Sequence, residues 1–177
     1  MQIKLRQETA TDQNSIFQAI ISAYKNVTYS NHREQIMVER LRNSNAFIPE
    51  LSIVAEEDNK ILGHILLTRI QIHKGDQSFD SLILAPLSIR AEYQNKGIGK
   101  RLVLESHRVA KDLGFEFVAV LGHAEYYPKF GYVMTSKYDI EIPIKISEAN
   151  SMITSLTGGN FSEIAGGKIE YSDEFFE

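Results

Sequence analysis

Two stretches of this chain carry residue types at spacings that could do chemistry. The first is QNKGIGKRL, residues 94–102, where Gly97 and Gly99 lie two apart among Lys96, Lys100 and Arg101, directly ahead of an amphipathic run. A helix N-terminus exposes unpaired N–H groups and a partial positive charge, and glycines let a bulky anion approach the backbone. The local chemistry is that of a site for a diphosphate or a similar anion. Two common versions of such a site do not fit. The G-x-G-x-x-G fingerprint needs glycine where Leu102 stands, and the P-loop needs another glycine spacing and Ser or Thr where Arg101 stands. The second stretch is VLGHAEYYPKFGY, residues 120–132. Its aromatics at 126, 127, 130 and 132 read by residue type as core. His123 supplies an imidazole, the side-chain type whose unperturbed pKa of about 6.5 suits proton transfer near neutrality.

These residues need a frame to position them. Residues 2–7 alternate as a first strand, and Thr9 with Asp12 resembles a capping box ahead of Ile16, Phe17, Ile20 and Tyr24 at helical spacing. A second helix is expected from about Asn31 to Leu41, and Pro49 breaks the chain. LSIVAEE (51–57), the DNK turn (58–60) and ILGHILLTRIQI (61–72) read as a hairpin, with Gly75-Asp76 turning the chain again. SLILAPLSI (81–89) is apolar enough for a buried strand, and its Pro86 requires a bulge or an unpaired position. A helix from Gly97 to Leu113 stops at Gly114, and FEFVAVL (115–121) is a buried strand. A short helical turn is expected near 124–130, then strands near 132–142 and 168–172 with a polar stretch between them. The fold class is therefore α/β with a mixed sheet. It has an antiparallel first half and a strand–helix–strand unit over 82–121 that implies one parallel pair.

Composition narrows the function. The length of 177 residues fits one domain, and a net charge of −4 argues against nucleic acid or an anionic membrane as the main partner. There is no cysteine, which excludes thiolate nucleophiles and Cys-zinc sites. The five histidines lack H-E-x-x-H or any close carboxylate pattern, so no metal is expected, and there is no G-x-S-x-G elbow. The first residues lack the apolar core of a signal peptide, and no apolar run approaches about 18 residues, so a cytoplasmic location without a membrane span is expected.

With Gln94, Gly97 and Gly99 following an apolar strand, and Tyr127 preceding Gly131-Tyr132 about 30 residues later, the chain resembles the GCN5-related N-acetyltransferase (GNAT) superfamily. Within it the chain is similar to the YhbS-like group of predicted acetyltransferases. LAPLSIRAEYQNKGIGKRLV (84–103) and VLGHAEYYPKFGY (120–132) carry the likeness, with a weaker match over 151–176. Ala91 stands where proline is common and Asn95 where glycine is common. The resemblance implies a GNAT acyl-CoA N-acyltransferase fold over 1–177 as one domain, its largely antiparallel sheet having one splayed parallel pair and helices on both faces. Acceptor-site helices would lie at about 9–44, an acetyl-CoA core at about 51–142 and a C-terminal strand and tail at about 143–177.

It further implies that acetyl-CoA (coenzyme A) is the co-substrate, lying where strands 82–89 and 115–121 part. Backbone groups of Leu87, Ser88 and Ile89 would meet its pantetheine arm and acetyl carbonyl. The N–H groups of Gln94, Asn95, Lys96, Gly97, Ile98, Gly99 and Lys100 would meet the pyrophosphate, with Arg101 adding charge and Gly122, Tyr126 and Phe130 packing around the cofactor. The implied reaction is direct acetyl transfer to a primary amine, with Tyr127 as the acid that protonates the departing thiolate. The glutamate that many relatives carry on the strand before the glycine loop has no counterpart in LILAPLSI. His123, His64, Glu56 or water then remain as bases, and strand alternation favours a buried role for His64. Tyr24, Tyr29, Asn31, His32, Arg33 and Glu34 fall in the acceptor segment, where mixed charge names no substrate. A GNAT-fold acyl-CoA sensor without turnover is the alternative, and a homodimer is possible.

Overall fold

The computed structural model describes all 177 residues. It contains one eight-stranded sheet of β1 (Lys4–Gln7), β2 (Ser52–Glu57), β3 (Lys60–Lys74), β4 (Gln77–Ile89), β5 (Phe117–Leu121), β6 (Val133–Met134), β7 (Ser151–Ser155) and β8 (Lys168–Tyr171). The strand order is β1-β2-β3-β4-β5-β7-β6, and β8 pairs with the far half of β3. Only β4 and β5 run parallel. The helices are α1 (Gln13–Tyr24), α2 (Glu34–Arg42) and α3 (Ile98–Asp112). α1 and α2 cover one face, where Ile16, Ile20, Val38 and Leu41 meet Val54, Ile61 and Leu66. Along α3, Ile98, Leu102, Val103, Ser106 and Ala110 recur on one stripe, which packs against Ile65, Leu67, Leu82 and Val118 on the other face.

Local chemistry explains the joints. The Thr9–Asp12 capping box is present, with Thr9 N–H donating to Asp12 Oδ2 at 2.7 Å. Asp58 and Asn59, at φ of 49° and 63°, make the turn between β2 and β3. In β4 two residues, Ala85 and Pro86, oppose the single Leu66 of β3, because the register steps from Ile65↔Leu87 to Leu67↔Leu84. Of the bulge or unpaired position expected at Pro86, the bulge is present. It shifts the alternation by one, so Leu82, Leu84, Leu87 and Ile89 all share the α3 face.

The C-terminal third departs from expectation. Only Val133–Met134 is strand within the run expected at 132–142; a 3₁₀ turn follows over Thr135–Tyr138, and beyond it Glu141 makes a single parallel bridge to Lys168. The stretch that reads as polar contains β7, which lies inside the sheet between β5 and β6. Its hydroxyls hid it. Ser151 bonds Thr135 at 2.8 Å and Thr154 donates to the Gly131 carbonyl at 3.0 Å, so polar side chains are satisfied where a sequence reading expects apolar ones.

A buried polar cluster ties β2 and β3 to α2. Arg42 donates to both oxygens of Glu8, at 2.7 and 3.1 Å, and Ser52 donates to Glu8 Oε2 at 2.7 Å. Ser52 Oγ then accepts from His64 Nε2 at 2.8 Å, which leaves Nδ1 of this fully buried ring without a partner. Burial lowers the His64 pKa, so the ring is neutral at neutral pH and Arg42 is the cation facing Glu8. Burial alone would raise the Glu8 carboxyl, but hydrogen bonds from His64, Arg42 and Ser52 outweigh it and bring it from 4.5 to about 2. A depressed carboxyl stabilises the fold above its unfolded value, and that contribution is lost as pH falls through the folded one. Arg42→Ala should therefore cost about 3–5 kcal/mol in urea unfolding at pH 7. The gap to the unsubstituted protein should narrow as pH falls from 4.5 towards about 2. A gap that is constant with pH would mean that Arg42 acts through packing alone.

Candidate functional site

The parallel ladder of β4 and β5 lasts three pairs, Leu82↔Val118, Ile83↔Ala119 and Leu84↔Val120. It stops where Ala85-Pro86 begins, and proline has no N–H to continue it. Beyond that point β4 stays with β3, while β5 stays with β7 and Gly122 N–H donates to the Asn150 carbonyl at 2.9 Å. The strands part, and a cleft of about 810 Å³ opens between them.

One wall is the exposed edge of β4. The Leu87 carbonyl accepts from the Tyr24 hydroxyl at 3.2 Å and the Ile89 carbonyl from Gln94 Nε2 at 3.0 Å, whereas Arg90 N–H turns the other way, to Leu62 of β3. In an antiparallel strand each residue sends its N–H and C=O to the same side. Leu87 and Ile89 therefore present both groups to the cleft. Ser88, expected to join them, sends its backbone to β3 and its side chain to the α1 face, where it is fully buried.

The second wall is the start of α3. Gly97 caps it at φ 81°, a left-handed conformation that a side chain disfavours, and provides no capping oxygen for the first-turn N–H groups. Gly99 is needed for a different reason, since a Cβ there would lie 2.9 Å from the Tyr126 hydroxyl. The third wall follows β5. Tyr127 is 8% exposed, and its ring rests on the backbone of Gly122, where a Cβ would come within 2.5 Å. Burial, reinforced by neighbouring phenols, pushes the Tyr127 pKa far up, so it holds its proton across the working pH range. Tyr126 and Tyr132 pack edge-on against that ring at 5.1 and 5.5 Å between centroids.

Residues 49–134 match the family model of the acetyltransferase (GNAT) domain. Over those residues the chain is similar to GNAT acetyltransferase domains. It is 39% identical over 101 residues to the uncharacterized N-acetyltransferase YjhQ of Escherichia coli, a match that spans 56% of this chain and only 55% of that relative. The uncharacterized N-acetyltransferase YhbS of the same organism is 20% identical over 155 residues, covering 88% of this chain and 90% of YhbS. Among solved structures, a GNAT family acetyltransferase from Brucella melitensis in complex with acetyl-CoA superposes with a TM-score of 0.78 at 28% identity, covering 99% of each chain. YhbS in complex with CoA superposes with a TM-score of 0.84 at 20% identity, covering 99% of this chain and 92% of that one.

The cleft gathers Leu87, Ile89, Gln94, Asn95, Gly97, Ile98, Gly99, Lys100, Gly122, His123, Tyr126 and Tyr127. Other expected site residues lie outside it. Lys96 donates to the Glu92 carbonyl and sits over the Tyr93 ring, and Arg101 reaches the Ile3 carbonyl at 2.8 Å. Arg101 points away because it lies one helical step past the cleft-facing Lys100. Phe130 braces Tyr126 from behind, at 5.4 Å between rings. Of the candidate bases only His123 lines the cleft. Glu56 is bonded to Arg6, and His64 belongs to the cluster beneath α2.

Other cleft residues were not singled out for the site by the sequence. Lys129, within YYPKFGY, lies 3.9 Å from the Tyr126 ring centroid, and Phe175 arrives from the C-terminal segment. No local signal marks either residue. No helix is long and apolar enough to cross a membrane, and no three His, Asp or Glu side chains converge on a metal-binding arrangement. Gly122→Ala should destabilise the fold by about 1–3 kcal/mol, because the added methyl must displace the Tyr127 ring. An unchanged urea midpoint would mean that the ring has room to move.

Proposed function

We infer that this protein is an acetyl-CoA-dependent N-acetyltransferase that transfers the acetyl group directly to a primary amine. One observation carries the reading. The parted strands bring a bare helix N-terminus and a buried, protonated tyrosine to the walls of one cleft. The residues fit coenzyme A on physical grounds. Gly97, where a Cβ would meet nothing within 4 Å, leaves the approach to the first turn of α3 open, and the N–H groups there with Lys100 suit a pyrophosphate. The free edge of β4 at Leu87 and Ile89 suits an amide-bearing arm, as in strand addition. The N–H of Ile89 would polarise the thioester carbonyl. The CoA-bound relatives support the same choice.

In the reaction the amine nitrogen bonds to the acetyl carbon and the C–S bond breaks. Tyr127, neutral at pH 7, hydrogen-bonds the departing sulfur and gives it a proton, a transfer against the acidity order (phenol about 10, thiol about 8.5) that loss of the amine's proton drives. The ammonium loses two protons overall. One is balanced by the thiol and the other leaves to solvent through His123 or water. His123 is held in place by the Tyr29 hydroxyl at Nε2. The domain would act as one unit over 1–177, with acceptor binding from the α1–α2 side.

Calorimetric titration with acetyl-CoA, with NADH and ATP as controls, tests the cofactor. Selective binding is expected, and Gly99→Glu should abolish it by setting a negative side chain against the pyrophosphate. Tyr127→Phe should lower turnover by roughly 10²–10⁴-fold with the acetyl-CoA affinity unchanged. Full activity in that variant would remove Tyr127 from the acid role. Acetyl-CoA binding without thiol release across an amine panel would point instead to a sensor of acyl-CoA.

A further inference from the structure

The acceptor end of the cleft holds a carboxylate with an unpartnered oxygen. Glu34, the first residue of α2, lines the cleft. Its Oε1 accepts from the Ser30 hydroxyl, whereas Oε2 is buried and has no partner. A buried carboxylate oxygen left unpaired is costly, and such a group calls for a cationic or hydrogen-bonding ligand. Glu34 is also the one acidic residue among the cleft walls. The cations of the cleft, Lys100 and Lys129, belong to its coenzyme end, beside α3 and Tyr126.

Two phenols connect Glu34 to the reaction centre. Tyr24 lies near Glu34 and reaches the Leu87 carbonyl, on the edge where the strands part. Tyr29 lies near Glu34 and bonds His123. Burial first, and the Glu34 charge second, raise the pKa of both phenols, so both stay protonated beside the carboxylate. The remaining surface at this end is apolar, with Val27, Met37 and Phe175 beside the rings.

We propose that Glu34 binds the acceptor, and that the acceptor is a primary amine presented as a single ammonium on an apolar or aromatic stem. The assignment rests on the N-acetyltransferase reading above and deepens it. One carboxylate matches one ammonium, and a polyamine would need more acids than this cleft has. An alkylammonium (about 10.4) holds its proton far more tightly than a carboxylate (about 4.3). Glu34 therefore orients the ammonium, and the proton departs through His123 or water.

The test uses phenethylamine, Nα-acetyl-lysine amide, spermidine and the neutral 2-phenylethanol. Thiol release is followed with acetyl-CoA, and direct binding is measured on CoA-saturated protein. Phenethylamine or the lysine amide should bind and react in preference to spermidine, and the ratio between those two distinguishes an aromatic from an aliphatic stem. The alcohol should not bind. Glu34→Gln should raise the amine KM roughly 10- to 100-fold, the worth of one charge-assisted contact, with kcat changed much less. Its acetyl-CoA affinity and Tm should be unchanged, and Glu34→Asp should fall between the two. An unchanged KM in Glu34→Gln, a preference for spermidine, or no binding of any amine overturns the assignment. Loss of acetyl-CoA binding by the unsubstituted protein would instead overturn the N-acetyltransferase reading itself, so the two failures are distinguishable.

Discussion

The parting of β4 and β5 after three paired residues is the constraint on which the rest of this structure depends. A parallel pair that continued would close the sheet and leave no exposed edge. Separation is sustained because each strand keeps its other neighbour, β3 for β4 and β7 for β5, so neither loses its backbone partners on both sides. Pro86 sits at the fork, where a residue without an N–H does least harm. The bulge it occupies also turns Leu87 and Ile89 to the α3 face, in line with Leu82 and Leu84. One irregularity thus ends a ladder, frees an edge and aims it.

Around that fork the walls depend on close approach. Gly122 lets the Tyr127 ring lie on the backbone, and Gly99 leaves room for the Tyr126 hydroxyl beside α3. Tyr126 in turn leans on Tyr127 and Phe130, so the aromatics of residues 126–132 act as a packed brace. The residues that read by type as core are core and cleft wall at once. Desolvation of Tyr127 is what keeps its proton in place, so packing and proton chemistry have the same cause.

The buried polar residues divide between two tasks. Glu8, Arg42, Ser52 and His64 form a cluster that links α2 to the sheet, with its charges paired. Glu34 starts the same helix and faces the cleft with one oxygen unpaired. The first cluster holds α2 in position, and that position brings Glu34 to the cleft.

The sequence alone determined the local features: the bulge at Pro86, the glycine start of α3, its stop at Gly114, the capping box at Thr9 and the order of the main strands. Each depends on neighbours within a few residues, where backbone geometry and side-chain type suffice. The glycine loop and the Tyr127–Gly131–Tyr132 spacing also carried the family resemblance. Tertiary structure decided what depends on direction and distance. It turned Ser88 away through strand alternation, sent Arg101 to Ile3 and put Phe130 behind Tyr126. It also placed β7 inside the sheet, because hydrogen bonds from Thr135 and Gly131 satisfy hydroxyls that made it read as loop. Among three histidine and glutamate candidates it brought only His123 to the cleft; it picked Glu34 out of the expected acceptor segment and added Lys129 and Phe175. No spacing rule joins residues 34, 129 and 175. They meet because α2, the turn after β5 and the C-terminal segment are each packed on the same fork, a relation that exists only once the chain is folded.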